Sequence, residues 1–157
     1  MSGVSITALI NKMHLRLLNN QINTDKIKLI HPDINRPALQ LSGFYDHFDN
    51  ERVQIIGHVE YAYINQMDAK RRLDMYEKLL SSKIPCIVYS SSMEPDDAFL
   101  KIASEYGVPV MVSEKATSVL MAEIIRWLNV ELAPTISIHG VLVDVYGEGV
   151  LIMGESG

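Results

Sequence analysis

Cysteine is almost absent from this 157-residue chain, which contains only Cys86. A single cysteine cannot form an intramolecular disulfide, and this fits a reducing compartment. Cys86 lies in the apolar run 84–89, where a buried thiol is a better interpretation than a nucleophile. No cysteine pair exists, and none of the five histidines has the helical spacing of a metal ligand pair. The sequence therefore predicts no metal site.

Positive charge is also scarce, with 14 Lys and Arg against 19 Asp and Glu, for a net charge of −5. The densest basic cluster, 70–72, is best interpreted as a solvated helix face. Nucleic-acid binding depends on clustered positive charge, so that class of function is disfavoured. No apolar run reaches the length of a membrane span, and no signal peptide is recognisable. We expect a cytoplasmic protein without nucleic-acid or membrane partners.

Hydrophobic residues are plentiful, at 48% of the chain, which is enough to bury a core. Short apolar runs alternate with amphipathic segments. The predicted strands are 15–18, 27–30, 53–57, 84–89 and 108–112. The predicted helices are a short first helix capped by Ser5 or Thr7, then 38–41, 67–80, 95–106 and 117–131. This alternation predicts an α/β sandwich with a mixed, partly parallel sheet flanked by helices.

Individual residues give the ends and inner faces of these helices. Asp68 is the expected N-cap of helix 67–80, Pro95 the first residue of the next helix, and Gly107 its end. The inner face of helix 67–80 is predicted to hold Leu73, Tyr76, Leu79 and Leu80. The inner face of helix 117–131 is predicted to hold Val119, Leu120, Ile124, Trp127 and Leu128.

The pattern changes at Ala133–Pro134, where we expect a domain boundary. Residues 1–132 form the first predicted domain, and residues 133–157 begin a second one. The second contains no helical pattern, and Thr135 to Met153 read as a β-hairpin with a glycine-containing turn.

One loop of the first domain is a candidate ligand site. Ser90–Ser92 follow a predicted central strand, and open α/β sheets bind ligands outside the carboxyl ends of their strands. Three serines without a glycine or a base are also compatible with an ordinary loop. The acidic pair 96–97 opens a helix, where carboxylates complement the helix dipole.

The last four residues, Gly154, Glu155, Ser156 and Gly157, follow a short apolar strand. They match the first half of a phosphate-binding P-loop, which continues to a second glycine, a lysine and a serine or threonine. They also match a nucleophile elbow, Gly-x-Ser-x-Gly, if position 158 is glycine. An ordinary hairpin turn is a third interpretation.

The wider sequence context favours the P-loop. The segment 139–157, HGVLVDVYGEGVLIMGESG, closely resembles the run into the phosphate-binding loop of the bacterial HPr kinase/phosphorylase family. Segments 36–44 (RPALQLSGF), 52–57 (RVQIIG) and 105–109 (EYGVP) are similar to that family's N-terminal domain and occur in the same order. The resemblance implies an N-terminal α/β domain similar to one in a peptidoglycan-precursor ligase, followed by a P-loop kinase domain that is cut within its loop.

The resemblance also implies an activity. Members of the family phosphorylate a serine of the phosphocarrier protein HPr with ATP or pyrophosphate and magnesium. They remove the phosphate by phosphorolysis, and so regulate carbon metabolism. The implied assembly is a homohexamer.

The resemblance assigns roles to two sets of residues. The backbone N–H groups of Gly154, Glu155, Ser156 and Gly157 help to cradle phosphate oxygens. His139 corresponds to an active-site histidine near the transferred phosphoryl group, although a structural hairpin histidine is the alternative. The implied lysine, metal ligands and remaining catalytic groups follow residue 157. We therefore expect these 157 residues alone to be inactive and to bind no ATP with useful affinity.

Two alternatives remain open. The first domain could act as a regulatory or oligomerisation module with its own ligand. A serine hydrolase would instead require a glycine at position 158, with aspartate and histidine further on.

Overall fold

The central feature of the fold is a five-stranded mixed sheet. The computed structural model describes residues 3–134. The strand order is β2-β7-β6-β5-β4, with β2 antiparallel to β7 and the other four strands parallel. These strands are β2 (Arg16–Leu17), β4 (Ile34–Asn35), β5 (Val53–Ile56), β6 (Ile87–Tyr89) and β7 (Val110–Val112). Two further strands, β1 (Val4–Ser5) and β3 (Lys28–Leu29), form a small antiparallel pair.

Helices cover both faces of this sheet. They are α1 (Ile6–Met13), α2 (Ala38–Leu41), α3 (His58–Gln66), α4 (Ala69–Leu80), α5 (Asp97–Glu105) and α6 (Thr117–Glu131), with a 3₁₀ turn at Thr24–Lys26. Side chains from α2 to α5 form the core on one face, and side chains from α1 and α6 form the core on the other.

The central strands are buried on both faces, as their continuous apolar character predicts. Ile56, Ile87 and Tyr89 join the core under α2 to α5, whereas Ile55 and Val88 join the core under α1 and α6. This two-residue alternation is the ordinary geometry of a strand. The predicted mixed, partly parallel sheet flanked by helices is confirmed.

Several predicted helix ends are confirmed. The Ser5 hydroxyl accepts from the Ala8 N–H at 3.0 Å, and the Asp68 carboxylate accepts from the Arg71 N–H at 2.9 Å. Gly107 ends α5 with φ of +72°, a conformation that glycine adopts at little cost.

Other details of the helices were predicted wrongly. Pro95 precedes α5, and Asp96 is the N-cap, since its carboxylate accepts from the Phe99 N–H at 2.8 Å. Leu73 and Val119, predicted to face inward, are each 46% exposed. On α4, Met75 is buried instead of Leu73.

Helix α3 was not predicted at all. Its buried residues are Glu60 and Ile64, and Val59 is 69% exposed. It therefore lacks the apolar stripe that identifies most surface helices.

None of the helices in the described part of the chain combines the length and hydrophobicity needed to cross a bilayer. Helix α6 ends at Glu131, close to the predicted boundary. The predicted hairpin Thr135–Met153 lies outside the described residues.

Candidate functional site at the carboxyl edge of the sheet

The predicted site residues do not fall within the described chain. His139, Gly154, Glu155, Ser156 and Gly157 all lie beyond residue 134. The described site candidates are therefore the loops that leave the carboxyl ends of the parallel strands, where α/β sheets hold their ligands.

The Ser90–Ser92 loop lies at this edge, as predicted, and forms a tight turn. Ser91 and Ser92 have φ of 56° and 58°, and the Met93 N–H donates to the Ser90 carbonyl at 3.0 Å. Two successive residues with positive φ and this hydrogen bond define a type I′ turn. Such turns usually contain asparagine and glycine, so the two serines are held in an unfavourable conformation.

The backbone N–H groups of this turn are already used. The Ser91 N–H donates to the Lys115 carbonyl and the Ser92 N–H to the Ser113 carbonyl, both at 2.8 Å. These bonds join the β6–α5 loop to the β7–α6 loop. A phosphate-binding loop presents its N–H groups to the ligand, so the structure favours the interpretation of Ser90–Ser92 as a structural loop.

Ser90 itself is fully buried and contacts the start of α6. Its hydroxyl lies 2.6 Å from the Thr117 hydroxyl, and it also approaches the Ile56 carbonyl at 3.4 Å. The buried hydroxyl pair therefore links the end of β6 to α6.

A charged cluster lies at the neighbouring part of the same edge, at the carboxyl ends of β4 and β5. Arg36 follows β4, and its Nε and Nη2 donate to Glu60 Oε1 at 3.2 and 2.8 Å. The same oxygen accepts from the Gly57 N–H at 2.7 Å. The Glu60 side chain is 4% exposed and that of Arg36 33%. The carboxylate is therefore a buried group that joins the chain after β4 to the start of α3.

The reason for a glycine at position 57 is close packing and not backbone conformation, since its φ is −101°. A Cβ atom at this position would lie 2.4 Å from Arg36 Nη2 and 2.9 Å from Thr117 Cγ2. Both distances are too short for ordinary contact. A side chain at position 57 would therefore force Arg36 and Thr117 to shift.

Side-chain amides extend this cluster along β4 and β5. Asn35 Nδ2 donates to Gln54 Oε1 at 2.7 Å and to Gln40 Oε1 at 3.1 Å. Gln54 is fully buried and Gln40 nearly so. Because the buried amides satisfy one another, the network has the character of structural support.

A small cavity of about 130 Å³ opens beside this edge. Its lining includes Tyr61, Arg72, Tyr76, Tyr89 and Asp96. The Tyr76 hydroxyl donates to Asp96 at 2.7 Å. Burial, followed by the Asp96 contact, raises the pKa of Tyr76, and burial also raises the pKa of Tyr89. Both phenols are therefore neutral at physiological pH. The cavity is also smaller than a typical ligand pocket.

Cys86 is fully buried, which confirms its predicted place in the core, and burial raises the pKa of its thiol. Residues 3–134 contain no cluster of His, Cys, Asp and Glu side chains that could hold a metal ion.

Comparison with known proteins identifies the family of this chain. The model of the family described as HPr serine kinase N terminus matches residues 4–128. The chain belongs to this family.

Curated relatives of this family domain extend the similarity over the whole chain. It is 55% identical over 157 residues to the HPr kinase/phosphorylase of Lachnoclostridium phytofermentans, covering 100% of this chain and 51% of that protein. The proteins of the same name from Caldicellulosiruptor bescii and Alkaliphilus metalliredigens are 42% and 39% identical. Coverage is 98% and 100% of this chain, and 49% and 50% of the relatives. The chain thus spans about half the length of the curated relatives it matches.

One solved structure resembles the fold of this HPr kinase N-terminal domain. It contains the CBS and DRTGG domains of the regulatory region of Clostridium perfringens pyrophosphatase, complexed with the activator diadenosine tetraphosphate. The TM-score is 0.50 at 10% identity, over 78% of this chain and 46% of that one. At this identity the likeness supports the α/β fold alone.

Arg36 and Gly57 lie within the segments 36–44 and 52–57 that resemble the family, but nothing in those segments predicts that both residues contact Glu60. One local signal was present. Glu60 lies three residues after Gly57, and a glutamate at this position commonly accepts from the N-cap N–H of a helix.

Proposed function

We propose that this chain is the N-terminal half of a bifunctional HPr kinase/phosphorylase. The observation that carries this proposal is the 55% identity over all 157 residues to a protein of that name. In the proposed reaction, a serine hydroxyl of HPr takes a phosphoryl group from ATP or pyrophosphate. In reverse, inorganic phosphate takes the group from phosphoserine and forms pyrophosphate.

The chemistry would be carried out beyond the described residues. The N–H groups of Gly154, Glu155, Ser156 and Gly157 would hold phosphate oxygens, and His139 would lie near the transferred group. Phosphoryl transfer depends on positioning and on charge neutralisation by lysine, arginine and magnesium. Those groups would come from the other half of a protein with the relatives' length.

The test uses the longer protein that contains this sequence. Reading the four codons after Gly157 distinguishes a P-loop, with a glycine and then lysine, from a nucleophile elbow. The protein is then incubated with HPr and magnesium-ATP, and phosphoserine is followed by mass spectrometry. Pyrophosphate release from phosphoserine-HPr and inorganic phosphate tests the reverse reaction. Transfer in neither direction would reject the proposal.

His139 gives a sharper prediction within this function. His139→Ala should lower turnover in both directions by roughly 10²-fold or more, the range found for positioned proton-transfer groups. Thermal unfolding should change little. Normal turnover in both directions would make His139 a structural residue.

We infer a second role for the N-terminal domain itself, as a regulatory or oligomerisation module. The described residues form two hydrophobic core clusters and contain no group of His, Cys, Asp and Glu side chains that could hold a metal ion, and the similar fold comes from the regulatory region of another enzyme. We also propose that the fold of this domain is similar to a domain of a peptidoglycan-precursor ligase. The protein itself is proposed to be cytoplasmic and to assemble as a homohexamer. Removing this domain should then leave basal phosphoryl transfer while changing its response to metabolites or the assembly size.

A further inference from the structure

The small cavity beside the carboxyl edge of the sheet has tyrosine rings in its walls. Residues of α3, α4, the end of β6 and the segment before α5 line it, and its volume is about 130 Å³. The Tyr61 hydroxyl donates to the Glu94 carbonyl at 2.8 Å, which ties α3 to the segment before α5. The rings of Tyr61 and Tyr89 meet edge to face, with centroids 6.2 Å apart. These contacts hold the walls in place, so the cavity is preformed.

Two hydrogen-bond donors in this lining have no partner within the described part of the chain. Arg72 Nε is buried and makes no hydrogen bond. Tyr89 is 2% exposed, and its hydroxyl bonds to no other described group. Burial is the first cause that raises the pKa of Tyr89, and the neighbours that raise it further are Tyr76, Asp96 and Tyr61. All three neighbours line the cavity, so the hydroxyl lies at its wall. Buried polar groups normally have a partner, and a molecule in the cavity would supply one for both donors.

The charged groups around the cavity already form neutral pairs. Asp96 Oδ2 accepts from the Tyr76 hydroxyl at 2.7 Å and from Arg72 Nη1 at 3.4 Å. Glu94 Oε2 accepts from Arg16 Nη2 at 2.6 Å. An anion in the cavity would therefore meet two carboxylates whose arginines are already paired, and a cation would leave the free donors without an acceptor. A neutral ligand avoids both costs.

The volume and the free donors restrict the ligand further. A water molecule takes about 30 Å³ of liquid, so the cavity has room for about four waters, or for one molecule of roughly six heavy atoms. That molecule needs oxygen atoms that accept from Arg72 Nε and from the Tyr89 hydroxyl. Its carbon atoms would contact the tyrosine rings. A short polyol such as glycerol combines these properties.

We propose that this cavity is a binding site for a small neutral polyol, whose hydroxyl oxygens accept from Arg72 Nε and from the Tyr89 hydroxyl. The proposal rests on the regulatory role proposed above and gives that role a site and a class of ligand. Binding is measured on this chain without HPr, ATP or phosphoryl transfer. A failure to bind is therefore distinguishable from a failure of the kinase assignment.

The first test is a titration of the isotope-labelled 157-residue chain with glycerol, followed by the amide shifts in NMR spectra. We expect saturable shifts at the residues that line the cavity, with a Kd on the order of 10 mM, since so small a ligand makes few contacts. Acetate and methylammonium are charged molecules of similar or smaller size and should bind at least about 10-fold more weakly. Shifts that rise linearly with glycerol and do not saturate overturn the proposal, because water alone then fills the cavity. Tighter binding of acetate or methylammonium than of glycerol also overturns it.

The second test removes one hydroxyl from each of two tyrosines. Tyr89→Phe keeps the ring but loses the donor, so its affinity for glycerol should fall at least about 10-fold. Tyr45→Phe is the matched control, because the Tyr45 hydroxyl is also buried without a partner but does not line this cavity. Its affinity should not change. Arg72→Lys keeps the positive charge without Nε and should weaken binding as Tyr89→Phe does. Circular dichroism verifies that each variant is folded. Unchanged binding by Tyr89→Phe, or an equal loss in Tyr45→Phe, overturns the proposal.

Discussion

Different kinds of interaction hold together the two halves of the carboxyl edge of the sheet. At the end of β5, a buried carboxylate, an arginine and a glycine meet, and the contacts are between side chains and one N–H group. At the ends of β6 and β7, two loops are joined by backbone hydrogen bonds, with one buried hydroxyl pair beneath them. The stability of the first region depends on charge complementarity and on the absence of a side chain at Gly57. The stability of the second depends on backbone conformation.

The difference determines which substitutions each region tolerates. Removing the partner of a buried charge lowers the free energy of unfolding by several kcal/mol, because neither water nor another charge takes the partner's place. A turn whose N–H and carbonyl groups bond to the backbone keeps those bonds when its side chains change. We therefore expect the β5 end to be sensitive to single substitutions and the β6–β7 end to be tolerant.

The largest effect is expected from Arg36→Met. This change leaves the Glu60 carboxylate, 4% exposed, without its cation. We expect the free energy of unfolding to fall by about 3–5 kcal/mol, as for other broken buried pairs. Urea unfolding measures the change. Arg36→Met combined with Glu60→Gln should recover at least half of the loss, because the amide still accepts from Gly57 without a buried charge. Equal destabilisation of the single and double variants would contradict this account.

Gly57→Ala should destabilise the protein less, by about 1–3 kcal/mol, as overpacking does. The new Cβ would meet Arg36 Nη2 and Thr117 Cγ2. The effect should therefore depend on Arg36. In an Arg36→Met background, the same change should cost less than half as much, which a double-mutant cycle measures. An unchanged cost would mean that Thr117 or the backbone, and not the arginine, excludes a side chain.

Ser90→Ala tests the second region and should cost about 1–2 kcal/mol, because it leaves the Thr117 hydroxyl without its close partner. The double variant Ser90→Ala with Thr117→Val removes both polar groups. Its stability in urea should be close to that of the original protein. If the double variant is as unstable as the single one, the hydroxyl pair is not the source of the loss.

The three central strands, β5, β6 and β7, could be predicted from the sequence because they are buried on both faces, whereas β4 lies in the segment 31–37 that reads as a loop. The run 84–89 is short, β-branched and flanked by turn residues, which is typical of a buried strand. Helix α3 could not be predicted in this way, since it buries mainly Glu60 and Ile64. Periodicity identified α4 and α6 but misjudged parts of their inner faces, because the spacing does not specify which side of a stripe meets the sheet.

The details of the carboxyl edge were harder to predict than the sheet. Arg36 and Glu60 are 24 positions apart and meet only because β4 and β5 are neighbours. The type I′ turn at Ser91–Ser92 lacks the asparagine and glycine that normally indicate it. The roles of His139 and of Gly154 to Gly157 stay predictions.

The smallest effect is expected within that turn. Ser91 and Ser92 have positive φ, which costs an L-residue about 1–2 kcal/mol each. Ser92→Gly should relieve this strain, but the unfolded chain gains roughly 0.5–1 kcal/mol of conformational freedom from the new glycine. The net result should be a stabilisation of about 0.5–1 kcal/mol. Ser81→Gly is the matched control, because Ser81 has φ of −83° and is exposed, so the control should be destabilised. Urea unfolding of both variants separates the cases. Destabilisation of Ser92→Gly by as much as the control would show that the serine side chain contributes contacts that offset its strain, and that this region also depends on side chains.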